Sequence, residues 1–298
     1  MRRLGHLLVL AVVLGLCALV VPNSAPAPTD LALVKVKKTS TVDVNPDVVW
    51  ILAVGSDARP GEEMTRSRGD TLQLIGLNTR TDAATAIGVP RDSWVPIPGV
   101  GSNRVNAALY YGGPQLMAET VGNLIGIQPD YVFVTGFKKF KAMVGEIGGI
   151  DVVNPTPFSD TYLKPEGFEA GKIHLNGYLA LSFSRIRKSL PRGDFDRSAN
   201  QQLVLRGIQA KIRDRADQAG FIERGVFSAM QNMATDASPA ELYRLARAVA
   251  NVKSSKITSC VVLGAIGNVG GASVVLPYVE QARSYGDQAR DDATIERC

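Results

Sequence analysis

Short apolar runs bounded by Gly, Pro or charged residues recur along the chain and predict a series of buried strands. The runs are rich in Val, Ile and Leu, which favour extended backbone. They lie at 48–54, 72–77, 83–89, 131–134, 150–153 and 257–263. A further apolar patch at 31–36 is suited to an edge strand.

The segments between these runs predict helices at 112–125, 137–147, 176–186, 194–215, 222–233 and 239–252. Ser238, Pro239 and Glu241 give the last helix a capping box with proline at its first position. Asp194 is expected to cap the long helix that it begins. Strands that alternate with helices predict an α/β sandwich. We expect 155–171 to be a long loop.

The N-terminus is Met1-Arg2-Arg3 followed by an apolar run at 4–21. We favour an uncleaved membrane anchor over a cleavable signal peptide, because Pro26 interrupts the small residues that cleavage needs. The basic start places the rest of the chain outside the cell, as a single-pass cell-membrane protein. The predicted division is an anchor at 1–21, a stalk at 22–46, a catalytic domain at 47–263 and a polar tail at 264–298.

Composition narrows the function further. With 298 residues, of which 45% are hydrophobic, the chain can bury a large core. The net charge of +5 is modest and the basic residues are dispersed, so we expect no nucleic-acid partner. His6 and His174 are the two histidines, which argues against Ser–His–Asp hydrolysis and His-ligated zinc. The usual phosphate-loop, dinucleotide, esterase and zinc-protease motifs are absent from the sequence.

The chain has three cysteines, and Cys17 lies inside the N-terminal apolar run. Cys260 and Cys298 form the other pair. In an exported protein they are either joined as a disulfide that ties the tail to the last predicted strand, or two unrelated free thiols.

Charged residues gather at the ends of the first predicted strands. Asp57 and Arg59 follow the run at 48–54, and Arg68 and Asp70 precede the run at 72–77. Two consecutive strands bring these side chains to one end of a sheet. Carboxylates beside arginines suggest Mg²⁺ next to a bound oxyanion, since Mg²⁺ takes oxygen ligands and Arg binds phosphate in a bidentate manner.

Arginine is used without lysine from Asp57 to Arg104. The six arginines are 59, 66, 68, 80, 91 and 104. Arginine alone indicates planar recognition of phosphate or carboxylate. The alternative is a set of structural ion pairs, which we favour for Arg80 in its turn but not for Arg59, Arg68, Arg91 and Arg104.

The second half of the chain adds a related set. Asp194, Arg197 and Gln201 share one face at the start of a predicted helix, where free N–H groups favour an anion. A solvated polar face is the alternative interpretation. Arg185 and Arg187, just upstream, favour a site because they bring further guanidiniums to the same place.

These segments occur in a recognisable order. They are VGSDARP, RSRGDT, VPRDS, RVNAA, SFSRIR and GDFDRSANQQ, within about residues 48–212. This set resembles the extracellular catalytic domain of the LytR–CpsA–Psr family. The resemblance implies a three-layer α-β-α sandwich with a central mixed sheet and an apolar pocket for a lipid tail. It implies transfer of a glycopolymer from a polyprenyl-pyrophosphate carrier to a hydroxyl of peptidoglycan or another glycan or protein, forming a phosphodiester.

The resemblance also implies roles for individual residues. Asp57 and Asp70 match the family's Mg²⁺-associated aspartates, with Mn²⁺ as the second ion considered. The basic positions that bind pyrophosphate are matched by Arg59, Arg68, Arg91, Arg104, Arg187 and Arg197. Asp92, Asp194 and Gln201 match its motif acids and glutamine. We therefore assign catalysis to Arg91, Asp92, Asp194 and Arg197, and substrate binding to Arg59, Arg68, Arg104, Arg185, Arg187 and Gln201.

One position departs from the family pattern. Where the family has D-x-x-R-x-x-R-Q, this chain has Asn200 in place of the second arginine, which weakens the charge clamp. Arg192 is a candidate to replace the lost charge.

The hypothesis is phosphoryl transfer, with Asp92 or Asp194 as the base. A pyrophosphatase that uses water, and a non-catalytic module that binds the lipid diphosphate or the wall, are the alternatives.

Overall fold

The computed structural model describes residues 30–37 and 47–298. The predicted anchor at 1–21 and most of the predicted stalk lie outside these residues. Within the described ranges, no helix combines the length and the apolar character that crossing a membrane requires.

The described chain folds into short strands and seven α-helices. The strands are β1 (Leu31–Lys35), β2 (Val48–Ser56), β3 (Gly69–Asn78), β4 (Ala84–Gly88), β5 (Trp94–Ile97), β6 (Gly101–Arg104), β7 (Tyr131–Gly136), β8 (Ile150–Asn154), β9 (Phe158–Asp160), β10 (Lys164–Phe168), β11 (Gly171–Leu175), β12 (Ala234–Thr235), β13 (Ile257–Val261), β14 (Gly264–Val269) and β15 (Ala272–Pro277). The helices are α1 (Ala107–Ile125), α2 (Phe137–Glu146), α3 (Gly177–Arg185), α4 (Asp194–Arg215), α5 (Phe221–Asn232), α6 (Pro239–Asn251) and α7 (Val279–Ala289).

A seven-stranded sheet in the order β12-β1-β7-β2-β3-β4-β13 forms the centre of the domain. It is mixed: β2 pairs parallel with β7 and antiparallel with β3, and β4 pairs antiparallel with β3 and parallel with β13. The antiparallel pairing brings the end of β2 and the start of β3 to one edge. We call this the site edge.

Helices cover both faces of the sheet. Along β2, Trp50 and Leu52 are buried on the face that packs against Met117 of α1 and Tyr285 of α7. Ile51, on the opposite face, packs with residues of α6. This arrangement confirms the α-β-α sandwich with a central mixed sheet.

A smaller apolar cluster lies beside the main core. Phe158, Phe168 and Phe183 pack together with ring centroids 5.0–5.3 Å apart. Phe158 belongs to β9 and Phe168 to β10, so the prediction of a loop at 155–171 is wrong. Each strand offers a single buried aromatic residue to this cluster, and one residue produces no alternating pattern for a sequence to reveal.

Two further predictions differ from the structure. β1 is not an edge strand, because the two-residue strand β12 pairs with its outer side. α1 begins at Ala107 rather than at Gly112, although Gly113 has non-helical backbone angles and separates the first turn from the rest.

Residues 264–298 are folded and do not form the polar tail that we expected. β14 and β15 form a hairpin, and α7 buries Ala282, Tyr285 and Ala289 in the main core. Small residues allow this close contact: a Cβ on Gly286 would lie only 2.1 Å from the carbonyl oxygen of Ile125. Because alanine and glycine carry little hydrophobic signal, α7 is hard to detect from its pattern.

Cys260 and Cys298 form a disulfide with their Cα atoms 5.3 Å apart, which confirms the pairing. Cys260 is the fourth residue of β13, and Cys298 follows α7. The bond therefore ties the last residue of the chain to the central sheet.

Loss of this disulfide should lower the thermal stability of the domain. A cross-link across a sequence separation of 38 stabilises mainly by restricting the unfolded chain. We expect Cys298→Ser to cost about 3 kcal/mol and to lower Tm by roughly 6–12 °C in scanning calorimetry. Reduction of the unmodified protein should reproduce this shift, and Cys17→Ser serves as the control. An unchanged Tm after complete reduction would contradict the prediction.

Candidate functional site

Three chain segments bring acidic and basic side chains to the site edge. The N–H of Asp57 donates to the carbonyl oxygen of Arg68 (3.0 Å), which closes the loop between β2 and β3 and places Asp57 near Asp70. The N–H of Val89 donates to the carbonyl oxygen of Leu72 (3.0 Å), so the residues after β4 arrive at the same edge.

Asp70 and Arg91 are the first charged pair at this edge. Asp70 is the second residue of β3, and its carboxylate accepts from the Nη1 atom of Arg91. Both side chains are largely buried. Backbone bonds fix the partner segments, since the N–H of Asn106 donates to the carbonyl oxygen of Arg91 and the N–H of Gly69 donates to that of Asn106 (both 3.2 Å).

The Asp92 carboxylate is the meeting point of guanidiniums from separate parts of the chain. Its oxygens lie 3.3 Å from Nη1 of Arg104 and 3.1 Å from Nη1 of Arg187. The Nε atom of Arg91 lies 3.8 Å away. We call these four residues, together with Asp57, Asp70, Asp194 and Arg197, the charge cluster.

Helix α4 supplies the last pair of the cluster. Asp194 pairs through Oδ1 with Nη2 of Arg197 at 2.5 Å, and its Oδ2 accepts from the backbone N–H of Arg91 at 3.1 Å. Asp194 therefore does not cap its own helix, and the prediction that it would do so is wrong. It is the first helical residue, and Gly193 occupies the cap position with φ of 54°, a backbone conformation suited to glycine.

Burial and neighbouring charges shift the acid–base properties of the cluster. Desolvation raises the pKa of Asp194 despite the Arg197 charge beside it, and desolvation lowers the pKa of Arg197. Burial, with the repulsion of Asp70, also raises the pKa of Asp57. At Arg91 burial acts to lower the pKa, but the carboxylates of Asp70, Asp92 and Asp194 outweigh it and the pKa is raised. Perturbations of this kind concentrate at functional sites.

A buried amide network lies beneath the cluster and was not predicted. Nε2 of Gln73 donates to Oγ of Ser198 (3.0 Å) and to Oε1 of Gln201 (3.2 Å). Gln202 donates to Oε1 of Gln73 (3.1 Å) and to the carbonyl oxygen of Cys260 (2.7 Å). The network fixes α4 against β3 and β13. A single glutamine within the apolar run of β3 was the signal that could have indicated it.

The remaining predicted residues are not part of the charge cluster, and they differ in exposure and in contacts. Arg59 and Arg68 are exposed, and their charges act on Asp57. The guanidinium of Arg185 stacks on the ring of Phe137 at 4.5 Å and makes no ion pair among the described residues. Gln201 is buried in the amide network and also donates to the carbonyl oxygen of Ser184 (3.2 Å). The structure thus places Gln201 behind the cluster.

The structure shows whether Arg192 replaces the charge that the motif loses at Asn200. Arg192, in the loop before α4, pairs with Asp196 of α4 at 2.8 Å, so its charge is paired outside the charge cluster. Asn200 is buried, and its Nδ2 atom has no hydrogen-bond partner within the described residues.

The C-terminal hairpin also supports the cluster, which no sequence pattern indicated. The N–H of Val275 in β15 donates to the carbonyl oxygen of Asp92 at 2.9 Å. Ser93 pairs with Val275 in a parallel bridge. Residues 264–277 therefore help to hold the loop that carries Arg91 and Asp92.

Asp57 and Asp70 have the donor atoms that a hard divalent cation requires. Their mutual repulsion contributes to the raised pKa of Asp57, and the charge of a bound cation would relieve it. No group of three ligand side chains occurs among the described residues. The pair fits an ion such as Mg²⁺, which keeps several waters and takes phosphate oxygens in addition to one or two carboxylates.

Comparison with known proteins identifies the family of the chain. A model described as the LytR_cpsA_psr family matches residues 23–290. A Bacillus anthracis (strain CDC 684 / NRRL 3495) protein named polyisoprenyl-teichoic acid–peptidoglycan teichoic acid transferase TagU is 34% identical over 197 residues, which is 65% of this chain. The chain spans 62% of the length of that relative.

Solved structures show the same fold. B. subtilis TagV superposes with a TM-score of 0.67 at 27% identity, over 84% of this chain and 99% of TagV. A structure of TagT with bound octaprenyl pyrophosphate superposes with a TM-score of 0.64 over 91% of this chain and 98% of TagT. At 22% identity the second likeness concerns the fold alone.

The buried pair of Arg197 and Asp194 generates a stability prediction. Their side chains are only 5% and 9% exposed, so Arg197→Met leaves a buried carboxylate without its partner. We expect a loss of about 3–5 kcal/mol in the free energy of unfolding at neutral pH. Arg192→Met, which breaks the pair between the exposed Arg192 before α4 and Asp196 on α4, is the control and should cost less than about 1 kcal/mol.

The loss should depend on pH. Burial raises the pKa of Asp194 and the Arg197 charge acts to lower it, so removing Arg197 raises this pKa further above its value in the unfolded chain. At low pH the carboxyl group of the variant is protonated and carries no unpaired charge, and the cost of the unpaired carboxylate appears as pH rises through the folded pKa. Denaturant unfolding of Arg197→Met should therefore show a smaller loss at pH 5 than at pH 7.5. Equal losses at both pH values, or a loss as small as that of Arg192→Met, would contradict the buried pair.

Proposed function

Since the chain belongs to the LytR–CpsA–Psr family, we propose that it transfers a phosphoglycan from a polyprenyl-pyrophosphate carrier to a hydroxyl of peptidoglycan or a related wall polymer. One observation carries the proposal: guanidiniums of Arg91, Arg104 and Arg187, from separate parts of the chain, meet at the Asp92 carboxylate. The name of the TagU relative supports the substrate class.

The balance of charge at the site edge favours an anion of at least two charges. The charge cluster and the two arginines whose charges act on Asp57 comprise four carboxylates and six guanidiniums: Asp57, Asp70, Asp92 and Asp194, with Arg59, Arg68, Arg91, Arg104, Arg187 and Arg197. Positive charge is thus in excess. A diphosphate matches this excess, and guanidiniums bind its oxygens in a bidentate manner.

Phosphoryl transfer requires mainly positioning and charge neutralisation, which this site offers without histidine. The acceptor hydroxyl forms a bond to the phosphorus that carries the glycan, and the bridging P–O bond to the other phosphate breaks. Polyprenyl phosphate leaves with the bridging oxygen. The hydroxyl proton passes to Asp92 or Asp194, the two carboxylates that arginines hold in place.

Asp57 and Asp70 would hold Mg²⁺, or Mn²⁺, beside the diphosphate. The ion, when bound, would neutralise charge that develops on the phosphate oxygens. Arg91 contacts Asp70 and so orients this carboxylate toward the same edge.

We also propose that the domain acts outside the cell, held at the membrane by the apolar run at 4–21. The basic residues Arg2 and Arg3 support this orientation. The site would then meet a carrier that stays in the membrane.

A transfer assay tests the function directly. The donor is a short prenyl diphosphate that carries a disaccharide, and the acceptor is a soluble peptidoglycan fragment. Arg91→Lys keeps the charge but loses the bidentate geometry, and we expect it to lower the rate of prenyl phosphate release about 100-fold or more. Arg192→Lys is the matched control, because Arg192 is exposed, lies in the loop before α4 and forms its ion pair outside the charge cluster.

Mass spectrometry of the products separates the alternatives. The proposal requires a phosphodiester between donor glycan and acceptor. Release of glycan phosphate with no acceptor product would indicate a pyrophosphatase, and donor binding without turnover would indicate a binding module.

The metal proposal has its own measurement. We expect transfer to fall to background in chelator and to return with added Mg²⁺ or Mn²⁺. Asp70→Asn should weaken the metal affinity, measured by titration calorimetry in the presence of inorganic pyrophosphate, since one of two carboxylates is lost. Full activity in chelator, or unchanged metal affinity in Asp70→Asn, would refute the assignment.

A further inference from the structure

The first turn of α1 presents two aromatic rings to solvent. Tyr110 is 59% exposed and Tyr111 is 48% exposed. Their ring centroids are 5.4 Å apart, with an angle of 76° between the planes. Two adjacent exposed aromatic side chains form an apolar patch, which either marks a binding site or has no function. The position of the tyrosine pair beside the charge cluster favours a binding site.

The tyrosine pair borders the charge cluster. α1 begins directly after Asn106, whose backbone contacts Arg91 and the residue before Asp70. Tyr110 follows Asn106 by four residues, which is about 6 Å along a helix. The carbonyl oxygen of Tyr111 accepts from Nη1 of Arg66 at 3.2 Å, and Arg66 lies in the loop between β2 and β3. The pair is therefore within reach of a group attached to a diphosphate in the cluster.

The turn that carries the pair is held in place. Gly113, two residues after Tyr111, has φ of 67° and breaks the helix there. It packs closely on the 3₁₀ turn at Met64–Arg66, since a Cβ at Gly113 would lie 3.4 Å from the carbonyl oxygen of Thr65. Tertiary contacts thus fix the first turn of α1 against the loop that carries Asp57 and Arg59.

We propose that Tyr110 and Tyr111 form a saccharide subsite for the glycan that is linked to the diphosphate. This proposal rests on the proposed function and adds a binding site to it. A sugar ring has apolar C–H faces and a rim of hydroxyls, and tyrosine matches it with an apolar ring and a polar hydroxyl. The sugar nearest the diphosphate must lie beside the arginines of the charge cluster, and the helical turn that carries the two tyrosines begins at the same edge, directly after Asn106.

Binding measurements with two probes test the subsite. The probes are farnesyl diphosphate and the same compound with N-acetylglucosamine linked to its diphosphate, titrated calorimetrically into the full chain in detergent. We expect the unmodified protein to bind the sugar-bearing probe more tightly. The double variant Tyr110→Ala/Tyr111→Ala should lose at least about 10-fold in affinity for that probe and less than 2-fold for farnesyl diphosphate.

The chain offers a matched control in Tyr243. It is also an exposed helical tyrosine, 39% exposed. Its helix, α6, contacts Lys35 through Glu241 at 2.8 Å, at the sheet edge opposite the site edge. Tyr243→Ala should change neither affinity. Tyr110→Phe/Tyr111→Phe should keep most of the sugar-dependent gain, because ring packing supplies it.

Each outcome has a defined meaning. Equal affinity losses for both probes, or no loss for either, would overturn the saccharide subsite. Neither result would contradict the proposal that the charge cluster binds the diphosphate. If the double variant binds both probes normally but associates less with anionic lipid vesicles, the tyrosines contact the membrane and the subsite is wrong. If the unmodified protein binds neither probe, the proposed function fails and the subsite with it. An unchanged Tm in the double variant verifies folding.

Discussion

The need to neutralise charge on a part-buried edge governs the arrangement of this domain. Asp92 is contacted by Arg104 before α1 and by Arg187 after α3, and Arg91 links it to Asp70 on β3. Without its partners, each of these part-buried charges would lower the stability of the fold, because it would remain unpaired. The ion pairs therefore hold the loops between sheet and helices at the same edge, so the residues of the site also stabilise the fold.

The amide network behind the cluster gives this edge its rigidity. Gln73 stands in the middle of the central sheet, where an apolar residue would fill the space more simply. Its bonds to Ser198 and Gln201 hold the helix that carries Asp194 and Arg197, and Gln202 extends the link to β13. Buried polar networks that are well satisfied specify a unique geometry. A diphosphate site depends on such geometry, because bidentate arginine contacts tolerate little misplacement.

Sequence patterns predicted the elements that depend on residues close together in the sequence, such as strands and helix caps. The apolar runs at 48–54 and 72–77 are strands, and the capping box at Ser238 and Glu241 is present. The convergence of Arg91, Asp92, Asp194 and Arg197 followed from charges at element ends and from the family motifs. β9 and β10 escaped prediction because one buried aromatic residue per strand makes no pattern. The support of Asp92 by Val275 joins residues far apart in sequence, and only the tertiary fold reveals it.

The central claim is that the charge cluster is a diphosphate site. A crystal structure of the protein soaked with farnesyl diphosphate tests it most directly. The account predicts density for both phosphates beside Arg91, Arg187 and Arg197, with the Asp92 carboxylate released from at least one guanidinium. Phosphates bound at another surface, with every ion pair of the cluster unchanged at saturating ligand, would contradict it.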